Sequence, residues 1–185
     1  MPDLEISKEE SQYKNYLSES AFRSFSFSRG YLRLSLSKLF NIPPLDVPLI
    51  AKPGMKPFLT NNYGHISISH SKDALLCAWA PLNIGIDIES TDRDFSAKEI
   101  SNKYFHEKEK ESLRNIDKYF FQKEVLKYWI IKEAAYKWQS FKKKADFFQW
   151  EWIQDSNIAI NKMGDLEVRT YLVQFEKYYI GIAYN

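Results

Sequence analysis

Ile84-Gly85-Ile86-Asp87-Ile88-Glu89 alternates without a break. At the two-residue period of a strand, Ile84, Ile86 and Ile88 point one way and Gly85, Asp87 and Glu89 the other. Two strand signals precede it. In His65-Ile66-Ser67-Ile68-Ser69-His70-Ser71, Ile66, Ile68 and His70 share one face and the serines the other. Ala74-Leu75-Leu76-Cys77-Ala78-Trp79-Ala80 reads as a buried strand, joined to Ile84 by Pro81-Leu82-Asn83. Upstream, residues 8 to 40 read as helical: Leu32, Leu36, Leu39 and Phe40 fall at helical spacing, with Arg29 and Arg33 one turn apart on another face. Asn41-Ile42-Pro43-Pro44 ends that helix, because Pro43 disfavours the α region for Ile42. A loop, Ala51-Lys52-Pro53-Gly54-Met55-Lys56-Pro57, enters Phe58-Leu59. Downstream, helices are expected over 97–113 and 119–138, then strands over 149–183 with turns at Asp155-Ser156-Asn157 and Met163-Gly164-Asp165. Helix, strands, helices, strands is an α+β order rather than an alternating β-α-β one. The connection at 81–83 is the expected internal boundary, giving halves 1–82 and 83–185.

The chain has 185 residues, enough for one ordinary domain or two small halves sharing a core. Hydrophobic residues make up 44% and aromatics 16%, which excludes general disorder. Lys and Arg number 26 against 24 Asp and Glu, too even for a dedicated nucleic-acid binder. The single cysteine, Cys77, makes neither an internal disulfide nor a zinc cluster. The N-terminus MPDLEISKEESQ has neither a basic nor an apolar leader region, so a reducing cytoplasm is the expectation. The longest nearly apolar stretch, Ala74 to Leu82, is far short of the roughly 20 residues that span a bilayer, so no membrane partner is expected.

Asp87 and Glu89 are carboxylates at i and i+2 on one strand face, a pattern that suits a hard divalent cation. Taken alone, a solvated acidic face is the plainer reading. In the long helix, Leu126, Trp129, Ile130, Glu133 and Lys137 fall on one stripe at 100° per residue. Charges in a core-facing stripe need a partner or a ligand, although a surface Glu–Lys pair near a helix end is an equal reading. His70 reads first as a core residue, Ser67, Ser69 and Ser71 as solvent-face serines, and Lys142-Lys143-Lys144 as a solvated turn or a contact for an acidic partner.

Together these segments resemble the 4′-phosphopantetheinyl transferases of the surfactin-synthetase-activating (Sfp) type. Lys56-Pro57-Phe58-Leu59 is similar to the GKP-x-L loop, and Ser67-Ile68-Ser69-His70-Ser71 to the N-x-SHS strand. Gly85-Ile86-Asp87-Ile88-Glu89 resembles the GIDIE motif letter for letter, and Trp129 to Lys137 is similar to W-x-x-KE-[AS]-x-x-K. Ser28 to Arg33 resembles a family helix ending in a leucine–arginine pair, and Tyr104-Phe105 with Glu109 resembles the FF-x-x-x-E segment. Met55 stands where the family has Gly, Ser67 where it has Asn, and residues 138–144 replace a Gly-rich segment.

The resemblance implies two similar α+β halves packed as a pseudo-dimer within one chain, with the active site between them, and a monomer. The implied reaction moves the 4′-phosphopantetheine arm of coenzyme A to a serine of an apo acyl, polyketide or peptidyl carrier protein, releasing 3′,5′-ADP. By motif position, Asp87, Glu89 and Glu133 would hold Mg²⁺, with Glu133 also taking the serine proton and Lys137 lying on the diphosphate. Lys56, Ser69 and His70 would meet the nucleotide end of coenzyme A, and Lys14, Arg29 and Arg33 are weaker candidates for phosphate contact or structure. The alternatives are a non-catalytic relative that binds coenzyme A or a carrier, and a Mg²⁺-dependent nucleotide-diphosphate hydrolase.

Overall fold

The computed structural model describes residues 4–139 and 147–185. Packing divides the chain into two compact units, Met1–Gly64 and His65–Asn185. The expected boundary at 81–83 falls inside the second of them.

In the first unit the expected single helical span is broken. Helix α1 (Lys8–Gln12) runs into a 3₁₀ turn, Tyr13–Asn15, and α2 (Glu19–Phe40) starts afresh. The break follows from caps: Ser7 closes a capping box with Glu10, and Ser18 accepts from the Ala21 amide. Helix α2 stops where expected. Asn41 turns left-handed (φ 55°), its amide and that of Ile42 both donate to the Ser37 carbonyl, and Pro43 follows. Two short strands, β1 (Leu49–Ile50) and β2 (Phe58–Leu59), pair antiparallel.

Arg33 resolves as structural. Its Nε and Nη2 donate to both oxygens of Glu10 at 2.9 and 3.1 Å, and its remaining donors meet the carbonyls of Pro44, Val47 and Leu49. Both side chains are about 95% buried. An arginine so engaged has no donor left for a phosphate. Arg29 donates to the Ala51 carbonyl and Ser28 Oγ and lies over the Phe25 ring. Removing one partner of a buried pair strands the other charge, so Glu10→Ala is expected to cost about 3 kcal/mol or more in chemical denaturation.

The second unit opens with the hairpin β3 (His65–Ser71) and β4 (Ala74–Ala80). Strand β5 (Ile84–Ser90) then leads to three helices: α3 (Ala97–Tyr104), α4 (Glu107–Arg114) and α5 (Lys118–Gln139). The helix expected over 97–113 is thus two. Phe105 is extended, and Glu109 reaches back to the His106 amide to start α4. Strands β6 (Trp150–Ile153), β7 (Ile158–Asn161), β8 (Leu166–Phe175) and β9 (Tyr178–Tyr184) complete an antiparallel sheet of order β5-β9-β8-β7-β6.

Helix α5 buries residues on nearly every side, among them Val125, Leu126, Tyr128, Ile130, Ile131, Ala134, Ala135 and Trp138. The apolar surface is therefore wider than the stripe read from the sequence. The helix lies against β5 and β9, which pair with Asp87 opposite Gly181. Two glycines permit this approach. A Cβ on Gly85 would stand 2.0 Å from the Ala134 carbonyl oxygen and 2.4 Å from the Trp138 nitrogen, and one on Gly181 would stand 2.6 Å from Ile130 Cγ2. The close crossing carries Glu133 and Lys137 over β5. Gly85→Ala is expected to push α5 outward and cost about 3 kcal/mol, read from thermal denaturation. Unchanged stability would show that the helix is not held at that distance.

Candidate active site

The strand β5 is an edge of the five-stranded sheet, and its free side meets β3 through side chains. The backbone amides of Ile86, Ile88 and Ser90 donate to Ser67 Oγ, Ser69 Oγ and Ser71 Oγ at 3.1, 3.4 and 3.2 Å. All three serines are buried and His70 is exposed. Both readings from alternation are thereby corrected. The serine face points to β5, because strand amides removed from water need acceptors, while the histidine faces outward.

The serines also hold carboxylates. Ser69 Oγ donates to Asp87 Oδ1 at 2.6 Å and Ser71 Oγ to Glu89 Oε2 at 3.0 Å. Lys137 Nζ, reaching down from α5, donates to Asp87 Oδ1 at 2.7 Å and to Ser69 Oγ at 2.9 Å. Glu89 forms a second ion pair with Arg93, whose guanidinium also approaches the Phe95 ring. Asp87 is 4% exposed, and its Oδ2 has no hydrogen-bond partner among the described residues. An orphaned carboxylate oxygen in so dry a place is costly.

Glu133 completes the group. Burial pushes its carboxyl up from 4.5 to about 7, and the charges of Asp87 and Glu89 push the same way against the pull of Lys137 and Arg93. Glu89 is also raised, first by burial, with the Asp87 charge adding to it and Arg93 opposing. The three carboxylates therefore feel one another's charge. They are not drawn up as a finished cage: among the described residues, no group of three or more His, Cys, Asp and Glu side chains is arranged to hold a metal ion. Lys137 and Arg93 instead supply positive charge to Asp87 and Glu89.

One member of the α5 motif serves the fold. Lys132, neighbour of Glu133, is fully buried and pairs with Glu109 Oε2 at 2.7 Å. Glu109 also accepts the amides of His106 at 2.8 Å and Trp152 at 2.9 Å, and Lys132 Nζ lies over the Phe105 ring. The Lys132-Glu133 dipeptide thus sends its lysine into the core and its glutamate to the site. Arg93 was missed by the sequence reading; its spacing of four from Glu89 is its only signal. Lys14 and Lys56 lie in the first unit, Lys14 exposed and Lys56 half-buried before β2. Lys142–Lys144 lie outside the described residues. Among the described residues no helix is long and apolar enough to cross a membrane.

Comparison with known proteins agrees with these motifs. The chain is 30% identical over 120 residues to HetI, a 4′-phosphopantetheinyl transferase of Nostoc sp. (strain PCC 7120), the match covering 62% of this chain and 51% of HetI. The chain thus spans about half the length of this curated relative. Residues 83–183, from β5 through β9, match the family model described as the 4′-phosphopantetheinyl transferase superfamily. With more than half its residues inside that match, and with a mixed α and β fold consistent with it, the chain belongs to the 4′-phosphopantetheinyl transferase superfamily.

Proposed function

We propose that this chain transfers the 4′-phosphopantetheine arm of coenzyme A to a serine hydroxyl of an apo carrier protein, releasing 3′,5′-ADP, as a Mg²⁺-dependent monomer of the cytoplasm. The observation that carries the reading is the charge-coupled set of Asp87, Glu89 and Glu133, with Lys137 bound to Asp87 Oδ1. The donor set fits a hard divalent ion: every candidate ligand atom is a carboxylate oxygen, and Asp87 Oδ2 is buried with no partner among the described residues. Asp87, Glu89 and Glu133 would hold the ion, which would supply neutralising charge to the diphosphate.

The residues' own work follows from their placement. Glu133, brought from α5 to the carboxylates of β5, takes the proton of the incoming serine hydroxyl. That oxygen then bonds to the phosphorus carrying the pantetheine arm, and the bond from this phosphorus to the oxygen of 3′,5′-ADP breaks. Lys137 Nζ offsets negative charge on the diphosphate as it grows. Ser69 fixes Asp87 and Lys137 in one geometry. His70, at the exposed end of β3, is proposed to meet the nucleotide phosphates, Lys56 is proposed for the same ligand on motif position alone, and Lys14 is a weaker candidate that lies in none of the motifs.

The test is intact-mass measurement of a panel of apo carriers after incubation with the protein, coenzyme A and Mg²⁺. The expected result is a gain of one phosphopantetheine on at least one carrier. No gain on any carrier would reject transfer, and release of free phosphopantetheine without a carrier would favour hydrolysis. An on-rate that falls as salt rises would support steering of an acidic carrier by Lys142–Lys144; a salt-independent rate would remove that role.

A further inference from the structure

Strand β3 is laid against β5 without joining its sheet. What bridges them is a ladder of hydroxyls at i, i+2 and i+4: Ser67, Ser69 and Ser71 accept the amides of Ile86, Ile88 and Ser90. A hydroxyl carries one donor and two lone pairs, so each serine that accepts an amide keeps a proton to give. Ser69 gives it to Asp87 and Ser71 gives it to Glu89, in each case the residue just before the amide accepted. Ser67 stands at the same step, but the residue before its amide is Gly85, which has no side chain. The ladder thus has two rungs that grip a carboxylate and one that grips backbone alone.

We propose that Ser69 and Ser71 are positioning residues: their hydroxyls tie one oxygen of Asp87 and one of Glu89 to the backbone of β5 and so set the direction of the other, Asp87 Oδ2 and the Glu89 Oε1 that pairs with Arg93. This rests on the functional reading above only in what those oxygens are for. The physical need is plain. Asp87 and Glu89 sit near each other and near Glu133, and like charges so placed drive flexible side chains apart unless something fixes them. A hydroxyl anchored by a backbone amide is such a fixture, since it cannot follow the carboxylate outward without leaving the amide unpaired. The outer end of the hairpin is tied down separately. Asp73, in the β3–β4 turn, accepts from Lys177 Nζ at 2.8 Å and from the Tyr178 hydroxyl at 2.5 Å.

Ser67→Ala and Ser71→Ala form the matched test. Each leaves one β5 amide without its acceptor, so both are expected to lower Tm by similar amounts. In the metal-free protein, three-bond NMR couplings of Glu89 should report one χ1 rotamer in the wild type and in Ser67→Ala, and averaged rotamers in Ser71→Ala. In parallel, Mn²⁺ affinity should fall about tenfold in Ser71→Ala and stay near wild type in Ser67→Ala, with transfer losing kcat rather than gaining KM in Ser71→Ala alone. A single Glu89 rotamer in Ser71→Ala, or equal averaging in both variants, overturns the proposal. Averaging confined to Ser71→Ala, with a wild type that neither binds Mn²⁺ nor transfers, upholds the positioning role and overturns the transferase reading.

Discussion

Glu133→Gln is expected to lose transfer by about a thousandfold, the scale of a positioned general base, while becoming more stable than the wild type above neutral pH. The two effects share one cause. Burial and the charges of Asp87 and Glu89 hold the Glu133 carboxyl near 7, against 4.5 in the unfolded chain. Between those values the folded protein keeps a proton that the unfolded chain has released. Stability therefore falls as pH rises through 4.5 to 7, by up to about 3 kcal/mol, and levels off above. Glutamine does not ionise, so the variant escapes this loss. Denaturation in the presence of a chelator at pH 5 and pH 8 measures it: the wild type should weaken over that interval by more than the variant. Parallel losses would show that Glu133 is not held in a dry, negatively charged place. The site is thus kept at the expense of the fold, as is common for groups gathered to work on a substrate.

Glu109→Ala is expected to cost about 3 to 5 kcal/mol. It leaves the Lys132 ammonium fully buried in the core without its hydrogen-bonded partner, with only the weaker pull of Glu151, and it takes the acceptor from the His106 and Trp152 amides. Lys132 is already driven toward its neutral form by burial, with Glu109 supplying the main opposing pull. Lys132→Met should be milder than Glu109→Ala, because methionine keeps an unbranched side chain beside the Phe105 ring and strands only one carboxylate that retains two amide donors. The double variant Glu109→Gln, Lys132→Met should recover much of the loss, since glutamine still accepts an amide and no charge remains. Urea midpoints of the four proteins check the order. A Glu109→Ala protein within about 1 kcal/mol of wild type would mean that the pair is not closed in solution.

Much of this was legible in the sequence because it is local. Strict alternation over Ile84–Glu89 placed Asp87 and Glu89 on one face, and the α+β order survived intact. The proline stop after α2 was also read correctly. What escaped was long-range. Alternation divides the residues of β3 into two faces but does not say which face is buried. Serines lose to isoleucines on any hydropathy scale, yet here the three serines are buried as Ile66 on the other face is, because the edge amides of β5 need hydroxyls. The breaks at Ser18 and His106 were hidden by helical composition on both sides, and only the side-chain caps reveal them. Glu109 and Lys132 are 23 residues apart, and nothing in their spacing announces a buried pair. Arg33 could be read as a phosphate ligand until its partners were seen.

The most direct measurement is an equilibrium titration of Mn²⁺ into the metal-free wild type and into Asp87→Asn, Glu89→Gln and Glu133→Gln, at pH 8, where Glu133 is ionised. Carboxylates from β5 and α5 that serve one cation should each be felt. The expected result is one tight site in the wild type and a loss of about tenfold or more in every single variant. Wild-type affinity in all three variants would contradict the grouping of Asp87, Glu89 and Glu133, as would a wild type that takes up no cation at all.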